Sequence, residues 1–120
     1  MDYYHIPESE LGNGSKIPLL TLGDSGEVFY ELALEMLRCI RSCQEAGKPA
    51  VLICPVGPVG QYPIFVRLVN EQKIPLKHCW FINMDEYLDK EGHYIPEKSP
   101  LSFRGFMNRE VYGKLRAEYT

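Results

Sequence analysis

The stretch Cys79-Trp80-Phe81-Ile82-Asn83-Met84-Asp85-Glu86-Tyr87 decides the fold. It opens on a short apolar run, the pattern of a buried strand, and then reaches two adjacent carboxylates. A strand that stops on charge delivers that charge to one edge of a sheet. In open α/β folds, small ligands bind at the edge formed by the carboxyl ends of parallel strands. Leu76 to Ile82 is therefore read as a strand, and Asn83 to Tyr87 as the loop that carries its chemistry.

Upstream, Ala50-Val51-Leu52-Ile53-Cys54 is a second continuous apolar run, which predicts a strand buried on both faces of a parallel sheet. The loop Pro55-Val56-Gly57-Pro58-Val59-Gly60 follows. After it comes a helix from about Tyr62 to Gln72, with Pro63 in its first turn and Ile64, Phe65, Leu68 and Val69 as its apolar face. Further upstream, Asp24 caps a long helix and Glu27 completes a capping-box pattern. Val28, Phe29, Leu32, Met36, Leu37, Ile40 and Cys43 recur there at helical spacing, until Gly47 and Pro49 stop the helix. Downstream, residues 89–100 are polar and looped, and Ser102 to Leu115 reads as a helix with Phe103, Phe106, Met107, Val111 and Leu115 along one stripe.

Residues 1–23, rich in Pro, Gly and polar groups, are expected to form an arm, and residues 24–120 part of one α/β domain. Helix, strand, helix, strand, helix implies right-handed crossovers. The predicted fold is an open, mainly parallel sheet with flanking helices in a Rossmann-like three-layer arrangement. Two strands leave that sheet incomplete, since both edges and much of both faces stay exposed. Either a C-terminal continuation or a partner chain is expected to complete it, and a homo-oligomer is one route.

Composition narrows the function. Of the 120 residues, 45% are apolar and 24% charged, ordinary for a soluble globular protein. A net charge of −3 argues against nucleic acid as a partner. No apolar run approaches the roughly 20 residues a bilayer span requires. Met1-Asp2-Tyr3-Tyr4-His5 lacks a basic and an apolar leader region, so the cytoplasm is expected and the Asn13-Gly14-Ser15 sequon is read as chance. Cysteines at 39, 43, 54 and 79 form no CxxC pair, and histidines at 5, 78 and 93 have no metal-site spacing. Reduced core cysteines and no metal or cofactor are expected.

Two motifs carry a resemblance. Lys77 to Tyr87 is similar to the "KHVVTFNMDEY" segment of the glucosamine-6-phosphate deaminase family, and Asn83 ahead of Met84-Asp85-Glu86-Tyr87 favours that branch over the related 6-phosphogluconolactonases, which carry a "DER" variant. Pro55 to Gly60 resembles the family's "PTGGTP" loop, whose amides and threonine hydroxyls hold the sugar phosphate. Val56, Pro58 and Val59 depart from it: a valine methyl donates no hydrogen bond, and Pro58 removes one N–H. A weaker third match is Ser99 to Met107, similar to the family's "HPESYYSFM" lid segment, with Ser102 retained and Phe103 in place of tyrosine.

The resemblance implies a cofactor-free isomerisation and deamination of an amino sugar phosphate to fructose 6-phosphate and ammonia. It assigns Asp85 as the base that moves a proton between C2 and C1, its pKa raised by partial burial, with Glu86 beside it buttressing the loop. It also implies sugar-phosphate contacts from Pro55, Val56, Gly57, Pro58, Val59 and Ser102. The family's later "GIGxDGHIAFNEP" motif has no counterpart in these 120 residues, so the chain is expected to carry only the front part of such a site. Two other readings stand beside this one: a non-catalytic sugar-phosphate-binding or structural module of the same fold, and a lactonase-like hydrolase. On the residues alone, Asp85 and Glu86 could simply cap the following turn, and the Gly/Pro loop could be ordinary turn chemistry.

Overall fold

The computed structural model describes residues 3–116 and 118. Helix α1, Ser25–Glu45, begins where Asp24 accepts the Glu27 N–H at 2.9 Å. Glu27 closes the box one residue early, on the Gly23 N–H at 2.7 Å. The helix leads into strand β1, Ala50–Cys54, then helix α2, Gln61–Gln72, strand β2, Cys79–Asn83, and helix α3, Phe103–Glu110. β1 and β2 pair in parallel with Ala50 opposite Cys79 and Cys54 opposite Asn83. This is an α/β unit with a two-stranded parallel sheet, consistent with an incomplete Rossmann-like fold.

The core lies on one face of that sheet. Ala33, Leu37 and Ile40 of α1 and Tyr62, Phe65, Val66 and Val69 of α2 are buried together with Ala50 and Cys54 of β1. Met107 and Val111 close the same cluster from the α3 side, and Phe81 packs edge-on against Phe65. Both buried helical sets follow the 3.6-residue period but sit slightly rotated from the predicted stripes, leaving Ile64 and Leu68 half-buried and Leu32 exposed.

Several expectations need correction. β1 is buried on one face only: Val51 is 55% and Ile53 63% exposed. On β2 the same face leaves Trp80 66% and Ile82 50% exposed. The described residues supply a single helical layer, so the second face of the sheet has no cover. β2 starts at Cys79 rather than Leu76, because the Cys79 N–H turns back to the Leu76 carbonyl. α3 ends at Glu110 and passes into a short 3-10 turn, Tyr112–Lys114, although Val111 and Leu115 continue the apolar stripe. Cys54 is a core thiol and Cys43 and Cys79 are half-buried, but Cys39 is exposed; all four are free.

Among the described residues no helix is long and apolar enough to cross a membrane, and no three His, Cys, Asp or Glu side chains group to hold a metal ion. Residues 4–21 are exposed along their length.

Candidate functional site

Parallel pairing in register puts the carboxyl ends of both strands side by side, and the Met84 N–H donates to the Cys54 carbonyl at 3.0 Å. The loop after β1 and the Asp85–Glu86 loop after β2 therefore share one edge of the sheet, as the ligand-binding rule for open α/β sheets requires. A cavity of about 270 Å³ opens there, lined by Asn83, Met84, Asp85, Glu86, Tyr94 and Arg104. Tyr94 and Arg104 were not among the sequence candidates. Tyr94 reaches the cavity because the chain doubles back at an isolated bridge between Leu88 and Tyr94, and Arg104 because α3 starts beside the loop.

Asp85 and Glu86 have opposite surroundings. Asp85 makes no hydrogen bond or ion pair with any described residue and is exposed, so the partial desolvation expected of it is not provided. Glu86 is fully engaged. Its Oε1 accepts the amides of Tyr87 at 2.9 Å and Phe103 at 3.0 Å, and its Oε2 accepts the Arg104 amide and the Ser102 hydroxyl, both at 2.9 Å. Desolvation pushes this carboxyl up, but the Arg104, Phe103 and Tyr87 amides and the Ser102 hydroxyl all favour its charged form and hold it below the usual value.

Ser102 is the N-cap of α3 and is 1% exposed. Its Oγ accepts the Gly105 N–H at 3.0 Å while donating to Glu86. Between them Glu86 and Ser102 take the first free amides of α3, so this helix start offers no spare N–H at Phe103, Arg104 or Gly105. Gly105 is required here, since a Cβ would stand 2.0 Å from the Glu97 carbonyl oxygen.

The loop at the end of β1 is held from outside. The Tyr62 hydroxyl donates to the Pro55 carbonyl, Gln61 Nε2 to the Pro58 carbonyl at 2.8 Å, and the Tyr62 amide to Val59 at 3.1 Å. Gly57 adopts φ +137°, a conformation that favours glycine, and the Gly57–Pro58 bond is cis. The amides of Val56, Gly57 and Val59 have no acceptor among the described residues. Three N–H groups on this loop are thus without acceptors among the described residues, while Val56 and Val59 bring no hydroxyl.

Arg104 is the one cation on the cavity wall among the described residues. Its Nε lies 3.4 Å from Glu97 Oε2, an ion pair without a hydrogen bond, and its side chain is half-exposed.

Parts of the chain are similar to curated glucosamine-6-phosphate deaminases. Identity is 33% over 72 residues with the protein of Haemophilus influenzae, covering 58% of this chain and 25% of that relative. It is 29% over 101 residues with the protein of Proteus mirabilis, covering 82% and 35%. With the protein of Borrelia garinii it is 30% over 70 residues, covering 57% and 24%. The chain thus spans between a quarter and about a third of the length of these relatives. No family model matches it, and no solved structure matches it.

Proposed function

We propose that this chain carries the proton-transfer edge of a cofactor-free amino sugar phosphate isomerase-deaminase, in line with relatives named glucosamine-6-phosphate deaminase. The observation that carries this reading is the contrast between Asp85 and Glu86. One carboxylate is tied down by four donors, and its neighbour has no partner among the described residues, on the wall of a cavity at the carboxyl ends of the strands. An unpaired carboxylate in that place is suited to taking a proton from carbon.

In this reading Asp85 removes the C2 proton of the open-chain amino aldose phosphate. The C2–H electrons form the C1–C2 double bond, and the aldehyde oxygen becomes a hydroxyl by taking a proton from the substrate's own ammonium group, which leaves the amine neutral. Asp85 then returns the proton to C1 while the nitrogen lone pair forms the C2=N bond. Water adds to that imine and ammonia leaves, giving the 2-ketose phosphate. Glu86 and Ser102 act as positioning residues that fix the loop against α3. The phosphate lies against the Val56, Gly57 and Val59 amides, with Pro55 and Pro58 shaping the loop.

The test is deuterium incorporation at C2 of glucosamine 6-phosphate in D₂O, with ammonia release measured alongside. Loss of both in Asp85→Asn, with folding retained, supports the assignment; retention of both in that variant removes Asp85 from the mechanism. A second reading, a sugar-phosphate-binding module without catalysis, is favoured by Val56, Pro58 and Val59, which leave the loop only backbone donors. Binding of the sugar phosphate with no exchange at C2 selects it. Hydrolysis of 6-phosphogluconolactone without ammonia release selects the lactonase reading instead.

A further inference from the structure

Asn13-Gly14-Ser15 matters through its first two residues rather than as a sequon. Residues 11–14 form a turn in the exposed arm. The Asn13 N–H donates to the Glu10 carbonyl at 3.1 Å, and the Ser15 N–H to the Gly12 carbonyl at 3.0 Å. Between these two bonds the Gly14 N–H has no acceptor among the described residues, and the Asn13 side chain has no partner there either. Gly14 lies at φ +73°, with nothing within 4 Å of the place a Cβ would occupy. A backbone nitrogen that is unbonded and belongs to the least hindered residue can turn onto the side chain before it.

The other three asparagines are held back by their surroundings. The amide that follows Asn83, that of Met84, donates to the Cys54 carbonyl at 3.0 Å. The amides that follow Asn70 and Asn108 lie inside α2 and α3 and are tied along the helix. Asn70 is also fixed at its side chain, with Nδ2 donating to the Lys114 carbonyl at 2.9 Å and Oδ1 accepting the Arg116 N–H at 3.0 Å. Asn108 Nδ2 donates to Glu97. Glu71, Met84 and Arg109 each carry a side chain that crowds the nitrogen, whereas Asn13 is followed by glycine.

We infer that Asn13 is a covalent modification site for which the chain supplies its own nucleophile, the Gly14 nitrogen. Hydroxide takes the Gly14 N–H proton, and the nitrogen attacks Cγ of Asn13. The N–Cγ bond forms, the Cγ–Nδ2 bond breaks, and ammonia leaves with a proton from water. Water then opens the cyclic imide at one of its two carbonyls, giving aspartate or isoaspartate. Either product adds a negative charge to an arm that already carries Glu8 and Glu10. Isoaspartate also inserts one carbon into the backbone under the Ser15–Gly12 bond. That bond and the neighbouring one, from the Ile17 N–H to Ser15 Oγ at 3.1 Å, then lose their register. The proposal does not depend on the catalytic reading.

The test is peptide mass mapping of the folded chain during incubation at mildly alkaline pH. The peptide holding Asn13 is expected to gain the mass difference between an amide and an acid, with isoaspartate in excess of aspartate and ammonia released. Peptides holding Asn70, Asn83 and Asn108 are expected to keep their amides over the same time. Gly14→Ala is expected to slow the change several-fold, and Asn13→Gln, whose imide ring would be larger and slower to close, to abolish it. Both substitutions lie in the exposed arm, and cooperative unfolding confirms that the fold is kept. An Asn13 amide that lasts as long as the other three overturns the proposal. So does aspartate without isoaspartate, since direct hydrolysis bypasses the Gly14 nitrogen, and so does an unchanged rate in Gly14→Ala.

Discussion

Glu86 and Ser102 hold each other across the loop that joins β2 to α3: the Ser102 hydroxyl donates to Glu86 Oε2 at 2.9 Å while accepting the Gly105 N–H. A carboxylate from the strand end thus serves as a second cap for the helix, beside the serine that caps it locally. The side chain next to it, Asp85, also lies on the cavity wall but has no partner among the described residues.

Glu86→Gln keeps the shape but replaces one carboxylate oxygen with an NH2 group that faces two donors, so two of the four hydrogen bonds are lost and the others lose their charge. It is expected to lower unfolding free energy by about 1–3 kcal/mol, measured by urea titration. Ser102→Ala is expected to cost about 1 kcal/mol by loss of the cap.

Acid stability follows from the same carboxylate. Glu86 is held below its ordinary value when folded, so it binds a proton less readily than in the unfolded chain. Its stabilising contribution is full above the unfolded pKa of about 4.3 and is lost as pH falls through the lower folded value. The wild-type chain should lose stability on acidification below about pH 4.3, and Glu86→Gln should lose less over that window. Equal losses contradict the assignment.

Asp85→Asn should behave in the opposite way. Because Asp85 is exposed and has no partner among the described residues, its stability change is expected within about 0.5 kcal/mol, with C2 exchange abolished. A large stability loss in this variant would place Asp85 in the framework instead.

Threonine at 56 and 59 restores two hydroxyl donors to a loop that still offers free amides. Val56→Thr and Val59→Thr are each expected to tighten binding of inorganic phosphate or glucosamine 6-phosphate by roughly tenfold, in line with about 1.5–3 kcal/mol for a bond to a charged acceptor. Calorimetric titration measures this; unchanged affinity in the double variant argues against an anion at the loop.

Gly60→Ala tests what holds the loop in place. A Cβ there would stand 2.3 Å from a ring carbon of Phe29, so the Phe29 ring or the start of α2 must shift. A loss of about 1–3 kcal/mol is expected, partly recovered when Phe29→Leu is added.

Much of this was legible in the sequence where a local signal and the packing agreed. Asp24 and Glu27 marked the start of α1, and Ala50 to Cys54 marked β1 to the residue. The strand-end carboxylates were placed correctly because β2 stops at Asn83 whatever its first residue is. What failed depended on partners far along the chain. A continuous apolar run predicts burial on both faces, but the described residues supply one helical layer, so Val51 and Ile53 emerge exposed. Ser102 was expected to touch substrate; its part as a helix cap bonded to Glu86, sixteen residues away, was not foreseen. Its spacing to Gly105 lacks the Glu or Gln that marks a capping box, which hid the cap. Tyr94 and Arg104 reach the cavity only through a chain reversal and a helix start that no periodicity announces.

The measurement that tests the account most directly is an amide-resolved NMR titration of the chain with glucosamine 6-phosphate. The account predicts saturable shifts at Gly57, Val59 and Asp85, and their loss when the unphosphorylated sugar is used. No shift at these residues, or shifts confined to another part of the chain, would contradict it.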